Sequence, residues 1–220
     1  DSPSILDDME YISISTPAST VIFGTIAANS TGNAGTSGRG RGIWAGGYGY
    51  NLSTDDITYI TIATPGNSST FGDLTGTRWQ PAAVSNGTRA LVMGRRQGTA
   101  DAKTIDYITI ATTGNASSFG HMYGNTLEDG ADACGNGTYG MTIYNNSGQG
   151  AEKFEYINLS SLGDAYHFGN PIAVGIGCAA VSNRTRAIWA GGWFNDSSRA
   201  NIEYYTWTVL SNATQYGNLG

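Results

Sequence analysis

Short apolar runs broken by glycine, asparagine and serine set the rhythm of this chain. MEYISI around Tyr11, ITYITI around Tyr59, IDYITI around Tyr107, FEYINL around Tyr156 and IEYYTW around Tyr204 recur every 48 or 49 residues. Twelve residues after each tyrosine comes an aromatic–glycine pair: Phe23-Gly24, Phe71-Gly72, Phe119-Gly120, Phe168-Gly169 and Tyr216-Gly217. Period and offset together define an internal repeat. A second block lies between these: PAAVSNGTRALVMG (Pro81 to Gly94), ADACGNGTYGMTIY (Ala131 to Tyr144) and CAAVSNRTRAIWAGG (Cys178 to Gly192). A degenerate first copy ends SGRGRGIWAGG (Ser37 to Gly47), so this block occurs four times against five for the tyrosine block.

Each run is short, rich in Ile, Val, Tyr and Thr, and bounded by turn residues, which predicts β-strands. Nothing sustains a 3.6-residue apolar period, so almost no helix is expected. Asn86-Gly87 and Asn136-Gly137 predict tight hairpins whose two central residues both take positive φ. Thr64 to Asn67 (TPGN) and Thr112 to Asn115 (TTGN) predict turns. A repeat then holds four strands, here termed a to d. Strand c carries Ile105 and Tyr107 on one face and Ile108 and Ile110 on the other. A strand apolar on both faces is covered on both faces, and the repeated tyrosine is expected in the core. Four-stranded sheets stacked face to face meet that demand, and repeats of roughly 40 to 50 residues with four strands read as propeller blades.

The order R-x-x-x-A-A-x-x-N-x-x-R-hydrophobic-x-x-G-G, then a variable loop, then I-[DE]-Y, resembles the kelch repeat. Its Gly-Gly pairs are Gly46-Gly47 and Gly191-Gly192; Gly94-Arg95 and Asn145-Asn146 depart from it. More narrowly, IDYITIATTGNAxxFG (Ile105 to Gly120), with FGDLT at Phe71 to Thr75, resembles repeats of virion and tail-associated proteins of marine bacteriophages, cyanophages among them. The resemblance covers nearly all of the chain and implies an all-β, kelch-like β-propeller in one domain spanning 1–220. Repeats fall at about 1–40 (partial), 41–88, 89–138, 139–185 and 186–220 (partial). Five blades is the preferred count, and four plus an extra hairpin the alternative. Four copies of a and b and five of c and d make eighteen strands. Residues 1 to 24 supply c and d alone, so residues before Asp1 or another chain's sheet are expected to complete that blade.

Composition narrows the classes. Charged residues are 13% and the net charge is -6, while 40% of residues are hydrophobic, a balance unlike that of a disordered chain. Thirty-two glycines without a three-residue period exclude collagen. No basic stripe suits nucleic acid, and no run approaches the roughly 18 apolar residues of a membrane span.

Candidate chemistry is sparse. His121 and His167 lie at different repeat positions and read as polar loop residues, so no metal or other cofactor is expected. Asp7-Asp8, Asp55-Asp56 and Glu128-Asp129 read as turn residues. Glu10, Asp106, Glu155 and Glu203 precede the tyrosine of strand c, where Thr58 stands once. The recurring Arg41, Arg89 and Arg186 of strand b, replaced once by Tyr139, are their candidate partners in an Arg–carboxylate or Arg–backbone network. Cys134 and Cys178 fall on innermost strand a and are expected buried and inert. Eleven N-x-[ST] sequons occur. Asn67, Asn86, Asn115, Asn136, Asn183 and Asn212 come from two repeated turns, so copying of turns explains most of the excess, with glycosylation as the other reading.

The loops between b and c vary most, and binding residues favour loops on rigid scaffolds. Tyr48, Tyr50, Arg95, Arg96, Trp193 and Phe194 are the candidate contacts. The sequence reading is therefore a non-enzymatic structural or adhesion protein of a phage particle, of tail-fibre or decoration type. Its expected partners are other virion proteins, copies of itself or a host-surface glycan. A secreted or cell-surface glycoprotein, filament-forming or lectin-like, is the alternative.

Overall fold

The computed structural model describes residues 7–16, 18–27, 31–49, 52–94, 103–124, 132–145, 152–175, 177–194 and 197–220. Among these residues there is no helix, hence none long and apolar enough to cross a membrane. The first sheet is a lone hairpin of β1 (Asp8–Tyr11) and β2 (Val21–Thr25). The second joins β3 (Ala34–Gly38), β4 (Arg41–Ala45), β6 (Leu52–Thr61) and β7 (Ser69–Arg78), with short β5 (Tyr48–Gly49) beside β6. The third runs β8 (Ala82–Ser85), β9 (Arg89–Met93), β10 (Thr104–Thr109), β11 (Ser117–His121). The fourth runs β12 (Ala133–Gly135), β13 (Tyr139–Asn145), β14 (Glu152–Asn158), β15 (Tyr166–Gly169). In the fifth, β16 (Ala179–Ser182) and β17 (Arg186–Ala190) lead through a small hairpin, β18 (Trp193–Phe194) and β19 (Ser197–Ser198), to β20 (Asn201–Thr206) and β21 (Thr214–Asn218). All pairings are antiparallel, and the eighteen expected strands are present.

Apolar side chains on both faces of a strand force sheets to stack. In β9, Ala90 and Val92 enter the core shared with the second sheet, while Leu91 and Met93 enter the core that continues through the fourth and fifth. All four are essentially inaccessible, and each larger one contributes about 1.5–3 kcal/mol by its burial. Strand c follows suit, with Ile105 and Ile108 both buried. The repeated tyrosines differ from expectation: Tyr59, Tyr107, Tyr156 and Tyr204 are only half-buried. Their rings lie at the edge of each junction, because a polar hydroxyl is costly to bury without a partner.

The a–b turns also differ from expectation. Gly87 and Gly137 take positive φ but Asn86 and Asn136 do not. Asn86 N–H pairs with Arg89 O, so Gly87 and Thr88 are the central residues. Asn86 Oδ1 accepts from the N–H groups of Thr88 (3.0 Å) and Arg89 (2.8 Å), and Asn136 and Asn183 repeat this bracket. The paired positive φ appears at Arg39-Gly40 instead.

Consecutive sheets are joined by one clasp used four times. The c–d turn of each sheet lies on the aromatic–glycine pair of the sheet before. A Cβ on Gly24, Gly72, Gly120 or Gly169 would overlap the carbonyl of Gly66, Gly114, Gly163 or Ser211 respectively. Beside each glycine a turn side chain accepts a backbone N–H: Asn67 from Thr25, Asn115 from Asp73, Asp164 from His121 and Asn212 from Asn170, at 2.8–3.1 Å. Ser68, Ala116, Ala165 and Ala213 donate back to the carbonyls of Thr25, Asp73, His121 and Asn170. This explains why asparagine repeats at 67, 115 and 212.

The array has an open end. Val84, Phe119 and Met122 of the third sheet, at most 5% exposed, are covered by the fourth. Their counterparts in the fifth sheet, Val181, Tyr216 and Leu219, are 64%, 61% and 49% exposed. Among the described residues, nothing lies within 4 Å of where a Cβ on Gly217 would sit.

Candidate ligand-binding recess

Strand b places an arginine over the tyrosine of strand c in three sheets. The guanidinium of Arg41 lies 4.5 Å from the Tyr59 ring centre, Arg89 4.8 Å from Tyr107 and Arg186 4.5 Å from Tyr204. Two of these reach the next sheet: Arg41 Nη1 donates to Ile110 O (2.8 Å), and Arg89 Nη1 to Leu159 O (3.3 Å) and Ser160 O (3.1 Å). The Arg–backbone form of the expected network holds for Arg41 and Arg89. The buried acids find their partners elsewhere.

The acids serve a different contact. A β-bulge just before each acid position, found in all five c–d pairs, re-aims the strand. Asp106, Glu155 and Glu203 are fully buried and hold the segment that leaves strand d of the preceding sheet. Asp106 accepts from Thr75 N (3.0 Å) and Oγ1 (2.7 Å). Arg78 Nη2 lies 2.9 Å from Asp106 Oδ2, a charge contact without a directed hydrogen bond, while Arg78 Nη1 donates to Gly94 O (2.8 Å). Glu203 accepts from Ile172, Ala173 and Val174 N–H. Glu10 of the lone hairpin is exposed.

Glu155 is the exception in its protonation. Burial pushes its carboxyl from 4.5 up to about 7, against the pull of the Gly124 and Tyr123 N–H groups and of Lys103. Oε2 takes both N–H groups, and Oε1 has no partner among the described residues. A folded-state value above the unfolded one means that the stability linked to this proton is full below about pH 4.5. It is lost as pH rises through about 7. Glu155→Gln is therefore expected to gain roughly 3 kcal/mol on the parent between pH 4.5 and pH 8. Urea midpoints of both proteins across that range check this. His167, opposite Glu155 on β15, titrates in both proteins and drops out of the difference. A difference independent of pH would refute the assignment.

The fourth sheet breaks the arginine pattern, and a recess opens there. Tyr139 stands in place of the arginine, its ring 5.7 Å from Tyr156 at a steep angle. The cavity between fourth and fifth sheets measures about 380 Å³ and is walled by Tyr139, Tyr156, Phe168 and Trp207. Arg184, Asn136 and Thr208 supply polar groups at its margin, and Leu210 closes one side. Trp207 Nε1 donates to Asn183 O (3.0 Å), which fixes the indole as a wall. A recess of similar size between second and third sheets has Phe71 and Tyr107 against threonines, Gly114 and Asn115, and no charged lining residue.

Of the loop residues read from sequence, Tyr48 is half-buried on Trp79, ring centres 5.5 Å apart, with its backbone paired to Thr31. It packs locally against that indole. Trp193 is 50% exposed on the β18–β19 hairpin. The side chain of Phe194, and Tyr50, Arg95 and Arg96 entirely, lie outside the described residues. Tyr48 belongs to the second sheet and Trp193 to the fifth. Asn67, Asn115 and Asn212 sit in the c–d turns, and Asn86, Asn136 and Asn183 in the a–b turns, with each Oδ1 engaged as described. Cys134 and Cys178 are free and buried, and burial raises both thiols to about 12, which leaves them without the thiolate that reactivity needs. His121 is exposed, with Nδ1 3.2 Å from Asp164 Oδ1.

No protein-family model matches the chain, and no curated protein matches it.

Proposed function

We propose that this chain is a non-enzymatic structural or adhesion protein of a phage particle, its four-stranded sheets acting as kelch-like propeller blades and β1–β2 as the outer half of a fifth. One observation carries the reading: the open end is a fifth copy of a seat filled four times within the chain. Tyr216-Gly217-Asn218 repeats the aromatic–glycine site, and Gly217 has nothing on it. At the other end, the β1–β2 turn exposes Ala18, Ser19 and Thr20, which stand where Gly66, Asn67 and Ser68 make the clasp. Ser211 already fills the glycine position in one clasp, so Ala18 is acceptable there. The partner proposed for the seat is the β1–β2 turn of a second copy, which gives a head-to-tail contact in place of the ring closure that the chain's own β1–β2 turn would make. The resemblance of Ile105 to Gly120 and Phe71 to Thr75 to phage virion repeats supplies the setting. Quantitative mass spectrometry of gradient-purified particles is expected to find the protein at a fixed ratio to the major shell protein. Its absence from particles overturns the reading.

A further inference from the structure

We infer that the recess between the fourth and fifth sheets binds one acidic sugar residue, a pyranose ring bearing a carboxylate. Two departures from the repeat, and a turn arginine otherwise found only at Arg39, converge on this one place. Strand b has Tyr139 where Arg41, Arg89 and Arg186 stand, and this substitution removes the cation that fills the sibling positions. The a–b turn has Arg184 where Gly87 and Gly137 stand; Arg39 holds the same turn position in the second sheet, where it donates to Thr88 Oγ1 (3.1 Å), whereas Arg184 lines the recess. The residue after strand c is Trp207 where Ile110 and Leu159 stand, and this one adds an aromatic wall. Each change alone is drift within a repeat. Together they exchange a filled cation–π junction for an open aromatic slot with a guanidinium at its mouth.

The chemistry of the lining selects the ligand. Rings of Tyr139, Tyr156 and Trp207 offer apolar faces that suit the C–H face of a pyranose. Hydroxyls of the tyrosines and Thr208 can both donate and accept. Asn136 Oδ1 is spent on its own turn, which leaves its amide hydrogens as donors. Arg184 is the charged lining residue, so a carboxylate is favoured over a cation. At about 380 Å³ the space is at the small end of ligand sites, which span roughly 300–1,000 Å³. That fits one ring within a chain lying across the surface. The inference goes beyond the particle reading, because binding can be present whether or not the protein belongs to a virion.

The test is calorimetric titration of the full chain with a galacturonate tetrasaccharide and, in parallel, the neutral galactose tetrasaccharide. The acidic oligosaccharide is expected to bind, and the neutral one to bind at least about tenfold more weakly. Arg184→Ala, at an exposed turn position, is expected to remove most of that preference. Tyr139→Arg restores the repeat's own residue, refills the slot and is expected to abolish binding. Because three sibling sheets tolerate that arginine, its fold is expected to stay intact, as a far-ultraviolet spectrum and urea midpoint verify. Absence of binding to either sugar overturns the inference. So does equal binding of both, or undiminished binding by Tyr139→Arg.

Discussion

Arg78→Met is expected to lower the unfolding free energy by about 3–5 kcal/mol, because it strands a buried carboxylate. Arg78 and Asp106 have no solvent exposure, and the thioether keeps most of the volume while removing the charge that faces Asp106. Thr75 alone then holds the carboxylate. The carbonyl of Gly94 loses its donor as well. A double variant separates charge from packing. Asp106→Asn added to Arg78→Met is expected to recover part of the loss, because a neutral amide is cheaper to bury than an unpaired carboxylate. Urea unfolding of the three proteins at pH 7 reads the order. A single variant within about 1 kcal/mol of the parent would show that the pair is solvated and the charge contact incidental.

The acids differ in what completes their shell. Glu155 accepts two backbone N–H groups of the preceding sheet and Glu203 three. Asp106 accepts one, from Thr75, and the Thr75 hydroxyl and the Arg78 guanidinium stand in for the rest. An acid before each tyrosine was visible in the sequence; its partners were not. Periodicity reports residue types that recur, and the partners, about 31 positions upstream, are backbone N–H groups at one repeat position whose residue type varies: Thr75, Tyr123 and Ile172. The arginines of strand b were misdirected for the same reason. They stack on aromatic rings of their own sheet and end on carbonyls about 70 residues ahead, which leaves no trace in a pattern of residue types.

Strands and their number were legible because each strand is a local run with its own bounding turns. The recess was legible only as mismatches. Tyr139 was noticed as a missing arginine, while Trp207 was a single difference after a strand and Arg184 one of two arginines at its turn position. Stacking sheets brings positions 139, 184 and 207 together, and only stacked do they describe a binding surface. The loop residues drew notice by type and exposure, yet Tyr48 packs on Trp79. Aromatic content in a loop is satisfied as readily by a neighbour as by a ligand.

The same substitution at two copies of one motif is expected to give opposite phenotypes. Gly120→Ala places a Cβ in the carbonyl of Gly163, a backbone atom that cannot rotate away. The fourth sheet must back off the third, taking with it the Asp164 and Ala165 bonds to His121. The expected cost is about 3 kcal/mol, the upper part of the range for overpacking a tight core. Gly217→Ala meets open space and is expected to leave the urea midpoint of the dilute protein unchanged. At high concentration the order of effects reverses. Parent chains are expected to associate head to tail in sedimentation velocity, since a seat filled four times within the chain is free at Gly217. Gly217→Ala closes that seat to the incoming turn and is expected to remain monomeric. An alanine at 217 that leaves association untouched would place the contact elsewhere. A parent chain that stays monomeric at every concentration would remove the assembly altogether, while the four internal clasps would still account for the stability of the array.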